Sequence, residues 1–501
     1  MNLRKVLIAN RGEIAVRVAR ACRELGIRSV AVYSEADRHA PHVILSDEAV
    51  FIGPAEASQS YLNLDRILDA CRSTGADAVH PGYGFLAENA EFARRVEAAG
   101  LKFVGPPAAA ILEMGDKTAA RRCMTEAGVP VVPGSHAPHT SVAEALEAAE
   151  HTGYPVLLKP AAGGGGKGMR LVERPSELEK AFEAACREAS QAFGDDRVYV
   201  ERFLENPRHV EVQILADAHG NVHQLGEREC SIQRRHQKLI EETPAPNLPT
   251  ELRKRMGEVA CAAARAVDYV GAGTVEFLVQ DGDFYFLEMN TRIQVEHTVT
   301  ELVTGIDLVQ WQLRIAAGER LSLPSSAAAP DGHAIECRIS GEDPYAGFLP
   351  STGSIRRIDL PGGPGVRWDG GIEPGTEVGL HYDPLLGKLV VHGVTRSDAI
   401  ARMRRALGEL AIDGIRTTIP FHLAVMDEPD FLAGNISVRY VDRHPELTDG
   451  TIGWAVDAAV AVAATLEHRS REHVTQCSSV LAIQPRNSER SAWQRLFEVD
   501  A

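Results

Sequence analysis

The chain of 501 residues has no C-x-x-C pair, no excess of positive charge and no long apolar run. Its cysteines, Cys22, Cys71, Cys123, Cys186, Cys230, Cys261, Cys337 and Cys477, are scattered, so neither a zinc nor a disulfide framework is predicted, and a reducing, cytoplasmic setting is expected. Lysine and arginine number 53 against 69 aspartates and glutamates, a formal charge of -16. That field holds polyanionic nucleic acid poorly, so any phosphate site must be local. The most apolar tract, Trp454 to Leu466, is broken by Asp457 and is too short to cross a bilayer. Arg4 and Lys5 leave no room for a secretory leader at the N-terminus, so a soluble protein without membrane or nucleic-acid partners is expected. The first apolar run meets Asn10-Arg11-Gly12-Glu13 where a dinucleotide fold carries G-x-G-x-x-G, which excludes that fingerprint there. At roughly 150 residues per domain, the length predicts about three domains.

What is present begins with a βαβ rhythm. Val6 to Ala9, Ser29 to Tyr33, Ala76 to His80 and Phe103 to Gly105 are short β-branched or apolar runs, and Ile14 to Leu25 reads as a helix between the first two. Residues 1–115 are therefore predicted as an open, mostly parallel α/β domain. A second block runs over 116–330. In it Pro155 to Lys159 and Met169 to Val172 bracket a glycine run and predict a hairpin flap, and the Pro, Ser and Ala content of Leu323 to Pro330 reads as a linker. A third block, 331–446, has short glycine-rich strands and a helix over Ser397 to Leu410. The remainder, 447–501, reads as an amphipathic helix over Trp454 to Arg469 and a polar stretch over Ser470 to Glu489.

Gly163-Gly164-Gly165-Gly166-Lys167-Gly168 is followed by a strand, and Gly168 stands where a Walker A loop needs Ser or Thr, so it fits neither nucleotide fingerprint. Alone it reads equally as a mobile surface loop; in company it is a flap whose backbone N–H groups approach phosphates, with Lys159 and Lys167 as point charges. The company is Glu288 to His297. With strand period, Glu288, Asn290, Arg292, Gln294 and Glu296 share one face, emerging from Phe284 to Leu287, which is apolar on both faces as in a buried strand. Upstream, Gly273 to Val279 is apolar except for Glu276, and Asp281-Gly282 is a hairpin turn. A three-residue connection would set Glu276 opposite Glu288, a carboxylate pair that a hard cation such as magnesium would stabilise, with the Asn290 carbonyl nearby. A two-residue turn would send the glutamates to opposite faces, and a shared proton or an Arg292 ion pair is the other reading of the pair. Gln233-Arg234-Arg235-His236-Gln237-Lys238 is a local basic run, either a solvated face or an anion site.

Together with His80-Pro81-Gly82-Tyr83-Gly84-Phe85-Leu86, these stretches resemble the biotin carboxylase component of biotin-dependent carboxylases, ATP-grasp enzymes, over residues 1 to about 445. The resemblance implies an α/β and α+β architecture: a Rossmann-like N-terminal domain, a central ATP-grasp domain with a mobile lid over about 130–203, and a C-terminal mixed domain. It implies that ATP phosphorylates bicarbonate to carboxyphosphate, whose carbon dioxide carboxylates N1′ of biotin, the first half-reaction of an acetyl- or propionyl-type CoA carboxylase or a two-subunit pyruvate carboxylase.

By the same resemblance Lys117 and Lys159 hold phosphates, Gly165 and Gly166 close over them, and Glu201, Arg202, Phe203 and Leu204 form the adenine hinge. His209, Gln233 and His236 lie around the nucleotide, while Glu276, Glu288 and Asn290 carry magnesium or manganese. Bicarbonate, planar and anionic, suits Arg292, Lys238, Gln294 and the Val295 N–H, with Glu296 as its base. Arg338 stabilises the biotin enolate and Tyr83 lies near the biotin ring. The family usually has proline where this chain has Thr298 and often lysine where it has Arg202. No Met-flanked biotinylated lysine motif occurs in the sequence, so biotin is expected on a separate carrier protein. A homodimer is expected too, and a carboxyltransferase is expected as a further partner. Another ATP-grasp ligase that makes an acyl phosphate is the alternative enzyme, and a non-catalytic ATP-binding regulatory module the alternative outside enzymes.

Overall fold

A computed structural model describes residues 3–135, 137–161, 169–193, 195–323 and 329–449. Met1–Leu447 form one unit and Thr448–Ala501 another. The helix predicted over Trp454 to Arg469 and the polar stretch after it lie outside the described residues.

Near the N-terminus, β1 (Lys5–Ile8), β2 (Arg28–Ser34), β3 (Glu48–Gly53), β4 (Ala78–His80) and β5 (Lys102–Phe103) pair in parallel in the order β3-β2-β1-β4-β5. Val6, Leu7, Ile8, Val30 and Val79 are wholly buried, as befits a sheet covered on both faces, and helix α1 (Gly12–Glu24) supplies Ile14, Val18 and Cys22 to one face. Strand order reverses between β1 and β4. The two loops that follow those strands therefore meet at the crevice where such sheets bind ligands, and Asn10 Nδ2 ties them by donating to the Pro81 and Tyr83 carbonyls at 2.7 Å each.

The flap is a three-stranded antiparallel sheet, β7 (Arg170–Val172), β6 (Val156–Pro160) and β8 (Val198–Arg202), rather than an isolated hairpin. Helices Val142–Thr152 and Pro175–Phe193 cover it through Ala145, Leu178 and Phe182. A bare two-stranded ribbon is marginal in water; the third strand and the helices give this one a core of its own. The glycine run between β6 and β7 lies outside the described residues.

The largest sheet has eight strands, in the order β13 (Asp283–Asn290), β12 (Gly271–Gln280), β9 (Arg208–Ala216), β10 (Val222–Arg234), β11 (Gln237–Thr243), β14 (His333–Ser340), Leu385–Gly393 and Val366–Gly370. It crosses the boundary read near residue 330, because β11 pairs with β14. The helix predicted over Ser397 to Leu410 forms as Arg396–Glu409, started by a capping box between Thr395 and Asp398.

Two strand expectations are corrected. The polar row of Glu288 to His297 is not one strand: β13 ends at Asn290, and a helix begins at His297. Met289 packs into the core under the β9–β12–β13 sheet and Ile293 into the core against α1, and only a chain that turns between them reaches both. Nor is the stretch before it buried on both faces. Phe284 and Phe286 are buried, but Leu287 is 37% exposed, since β13 is an edge strand.

Candidate active site

Two glutamates on neighbouring strands start the site. The β12–β13 connection is two residues, Asp281 and Gly282, with φ of 55° and 83°, the backbone of a type I′ turn, and Gln280 pairs with Asp283. A regular ladder from that turn would oppose Glu276 to Leu287 and separate the glutamates. A β-bulge intervenes: the register shifts between Phe277↔Phe286 and Glu276↔Glu288, leaving Leu287 as the extra residue. The carboxylates thus face each other despite the short turn, contrary to the expectation that such a turn would part them.

Lys238 gathers the surrounding acids. Its Nζ donates to Glu211 Oε2 at 2.6 Å, Glu276 Oε1 at 2.9 Å and Glu296 Oε1 at 2.7 Å. Glu211 lies on β9 opposite Glu276, and Lys238 pairs with Gln233 across the β10–β11 hairpin. Burial alone would lower the ammonium's pKa, but the three carboxylates outweigh it and hold it well above its usual value. Burial likewise would raise Glu276 and Glu296. Lys238 and His209 hold Glu276 well below the carboxylate range, and Lys238, Arg338 and Arg228 do the same for Glu296. His209 Nε2 lies 2.8 Å from Glu276 Oε2; against burial, that carboxylate raises the imidazole's pKa.

The chain beyond β13 folds back onto this cluster. Asn290 Nδ2 and Gln294 Nε2 donate to Glu276 Oε1 at 2.8 and 2.6 Å. Arg292 donates from Nη2 to Asn290 Oδ1 at 2.7 Å and from Nε to Glu88 Oε2 at 2.9 Å. Arg338, on β14, donates from Nη2 to Glu296 Oε2 at 2.9 Å and from Nε to Glu241 Oε1 at 2.6 Å. The Val295 carbonyl accepts from Lys388 Nζ at 2.7 Å, and Lys388 in turn lies 3.2 Å from Glu13, to which the Tyr83 hydroxyl donates. Tyr83 thus joins the cluster through the sheet crevice, with burial and Glu13 raising its pKa well above that of a free phenol.

A cavity of about 450 Å³ opens between the flap and the large sheet, lined by Met114, Arg121, Lys159, Glu201, Glu288 and Asn290 among others. Glu201 accepts from Arg121 Nη1 at 2.9 Å and from Lys159 Nζ. In the hinge stretch, the N–H of Arg202 donates to Pro133 O at 2.8 Å and that of Phe203 to Pro155 O at 3.0 Å, so these two amides hold the hinge itself; Leu204 follows, half-buried. His209 is buried and does not line the cavity, and neither Gln233 nor His236 lines it. His236 is exposed in the Arg235-His236 turn, where φ is 49° and 65°. Lys117 opens the helix Lys117–Glu126, but its side chain, like Gly165, Gly166 and Lys167, lies outside the described residues.

Sequence reasoning missed Glu211, Arg228, Glu88, Glu241, Lys388 and Glu13. Arg228 is wholly buried and spends its guanidinium on Glu211 Oε1 at 2.6 Å, Gln213 Oε1 at 2.6 Å, Thr300 at 3.0 Å, Thr274 at 3.1 Å and Gln294 Oε1 at 2.8 Å. The available signal was charge inside apolar strands: Glu211 between Val210 and Val212, and Lys388 before Leu389-Val390-Val391.

The donor set at Glu276 and Glu288 is carboxylate oxygen from adjacent strands, with Glu288 on the cavity wall and an amide oxygen two residues on, which suits a hard divalent cation. Among the described residues no helix is long and apolar enough to cross a membrane.

Residues 2–111 match the family described as "Biotin carboxylase, N-terminal domain", residues 116–323 "Carbamoyl-phosphate synthase L chain, ATP binding domain" and residues 336–443 "Biotin carboxylase C-terminal domain". The chain is 52% identical over 442 residues to a biotin carboxylase of Haemophilus influenzae, covering 88% of this chain and 98% of that one. It is 54% identical over 444 residues to a biotin carboxylase of Nostoc sp., covering 88% and 99%. Among solved structures it is similar to the biotin carboxylase domain dimer of Hydrogenobacter thermophilus 2-oxoglutarate carboxylase in complex with MgADP, ADP and bicarbonate. The TM-score there is 0.84 at 49% identity, covering 89% of this chain and 99% of that one.

Proposed function

The chain belongs to the biotin carboxylase family, and from that premise we propose that it carries out the ATP-dependent carboxylation of biotin with bicarbonate, giving carboxybiotin, ADP and phosphate. The observation that carries this reading is the Lys238 cluster. A cation held by three buried carboxylates, flanked by Arg292 and Arg338, puts an ionised base beside two anion-binding forks, and Asn290, which bonds to this cluster, also lines the cavity of about 450 Å³. A pure ATP binder needs no such base.

In this reading residues 1–115, 116–330 and 331–446 serve as the N-terminal, ATP-grasp and C-terminal domains, with the flap over about 130–203 as the lid. ATP occupies the cavity. Lys159 exchanges Glu201 for phosphate oxygens, Lys117 and the Gly165-Gly166 backbone join it, and the hinge from Glu201 to Leu204 meets the adenine through backbone groups. His209 supports the nucleotide site by fixing Glu276, and Gln233 and His236 approach from the β10–β11 hairpin. Glu276, Glu288 and Asn290 would hold magnesium, which would supply positive charge against the transferring phosphoryl group.

Bicarbonate lies against Arg292, Lys238, Gln294 and the Val295 N–H. Glu296 takes its proton, so that the bicarbonate oxygen attacks the γ-phosphorus and ADP leaves. Held by Lys238 and Arg338, Glu296 is ionised but weakly basic; its proton affinity rises as Lys238 turns to bicarbonate and Arg338 to the biotin carbonyl. The carboxyphosphate splits into carbon dioxide and phosphate, the phosphate takes the N1′ proton of biotin, Arg338 stabilises the resulting enolate as N1′ attacks the carbon dioxide, and Tyr83, fixed by Glu13, flanks the ring. The biotin is presented by a separate carrier protein, a carboxyltransferase consumes the product, and the chain works as a homodimer in the cytoplasm.

The test is ADP release by the purified chain with ATP, magnesium and bicarbonate, with and without free biotin, beside Glu296→Gln. Strong biotin stimulation that the variant loses supports the half-reaction. Turnover indifferent to biotin points to another ATP-grasp ligase, and nucleotide binding without turnover to a regulatory module.

A further inference from the structure

Of the two carboxylates that grip Arg338, Glu296 faces the bicarbonate site and Glu241 does not. Glu241 Oε1 accepts from Nε at 2.6 Å and lies 2.5 Å from Nη2, so it takes the edge of the guanidinium that fixes its plane. Glu241 is wholly buried. Its partner across the β11–β14 ladder is Glu336, also wholly buried, and side chains so paired stand about 5 Å apart at Cβ. Two carboxylates that close, away from water, do not both ionise. Each keeps one oxygen that no donor reaches, Glu241 Oε2 and Glu336 Oε1. A proton on this pair removes the repulsion and occupies one of those oxygens.

The neighbours decide which acid holds it. Glu241 faces Arg338 on β14, Lys238 on its own strand and Glu296 just ahead of the helix His297–Thr304. Glu336 faces Lys388 on the strand Leu385–Gly393, and its Oε2 accepts from the Thr298 hydroxyl. Cys230 and Cys337 complete the surroundings as neutral thiols, since burial and the nearby carboxylates push both well above their usual value. Glu241, in direct contact with a guanidinium, keeps the charge; Glu336, with no cation in hydrogen-bond contact, keeps the proton.

We propose that Glu241 is the positioning residue for Arg338 and Glu336 its proton-holding partner, so that one proton on a pair of buried acids decides whether the guanidinium is clamped. With Glu241 ionised, Nε and Nη2 of Arg338 are held at its Oε1 while Nη2 also reaches Glu296 Oε2 at 2.9 Å, so the plane of the guanidinium is fixed and Nη1 is left for the substrate oxygen. When Glu241 takes up a proton the clamp weakens and Glu296, already in contact with Nη2, is left as the sole anionic partner of the guanidinium, which pairs with it more tightly and quenches the base. Burial pushes the Glu241 carboxyl up to about 7 and holds Glu336 well above its usual value, which sets the device within the working pH range. Thr298, where the family usually has proline, gives Glu336 a hydrogen bond that a proline ring cannot.

The proposal rests on the biotin carboxylase reading for its kinetic arm and is independent of it for its spectroscopic one. In the full chain, Glu241→Gln should lower biotin-stimulated kcat about tenfold or more, the loss of one hydrogen bond to a charged group, with KM for ATP unchanged and the acid limb near 7 abolished. Glu336→Gln, which imitates the protonated acid, should keep activity within about threefold of the parent, a change under 1 kcal/mol. Infrared difference spectra across the same pH range should show a protonated-carboxyl band that titrates in the parent and is missing in Glu241→Gln, and a constant one missing in Glu336→Gln. Equal losses of activity in both variants, an acid limb unmoved by Glu241→Gln, or absence of both bands from the parent would each overturn the proposal. If the parent shows no biotin-stimulated turnover, the functional reading fails while the infrared bands still decide the state of the two acids.

Discussion

Replacing Arg228 by methionine tests whether the buried guanidinium organises the site. The change keeps volume and removes five hydrogen bonds, leaving Glu211 with Lys238 as its remaining cation and Gln294 Oε1 without its donor. Breaking a buried ion pair from one side costs about 3–5 kcal/mol, because the surviving carboxylate stays out of water. For the 447 residues of the main unit the unfolding entropy is roughly 0.9 kcal/mol/K, so the thermal midpoint should fall by about 3–5 °C. The site should suffer more than the fold. Gln294, no longer fixed at both ends of its amide, loses its aim at bicarbonate, and KM for bicarbonate should rise about tenfold or more while KM for ATP stays near the parent's. Calorimetry and steady-state ADP release measure both, and Arg228→Lys should recover part of the stability but little of the KM, since an ammonium lacks the fork that spans Glu211 and Gln294. A midpoint within about 1 °C of the parent together with an unchanged bicarbonate KM would refute the reasoning.

Glu88→Gln removes the exposed partner of Arg292; the contact is half-solvated and worth under about 1 kcal/mol, so KM for bicarbonate should change by no more than about fivefold, and a complete loss of activity would contradict that. Stability should depend on pH with a sign set by Glu241. Its carboxyl is pushed from 4.5 to about 7, so the folded chain binds the extra proton and stability falls as pH rises through that window; Glu241→Gln should flatten the fall in thermal midpoints measured across it. Glu276 and Glu296 have the opposite sign: depressed in the fold, they favour the folded state above the ordinary carboxylate range and withdraw that support only in strong acid, as acid-unfolding curves of Glu296→Gln would show by a shallower loss. Chelating magnesium should abolish ADP release, and Glu288→Gln should raise the magnesium concentration needed to restore it about tenfold or more; an unchanged requirement would remove Glu288 from the metal site.

The parallel N-terminal sheet, the strands of the flap and the biotin carboxylase family were all legible in the sequence. β-branched runs buried on both faces and motifs of fixed order are local signals, and the residues proposed to touch substrate stand inside them. How those residues meet depends on long-range packing. Glu276 and Glu288 oppose each other because of a bulge at Leu287, and one extra residue in an edge strand leaves no mark in hydropathy. The polar row after Glu288 looked like strand because alternation has the same period whether or not the chain then turns; the separate cores that claim Met289 and Ile293 made it turn. Arg228, Glu211, Glu241 and Lys388 were invisible as functional residues because each lies on a different strand from the group it serves. Only the sheet, by setting β9, β10, β11, β14 and Leu385–Gly393 side by side, brings their charges close enough to matter, and Coulombic coupling in a buried site depends on distance rather than on order along the chain.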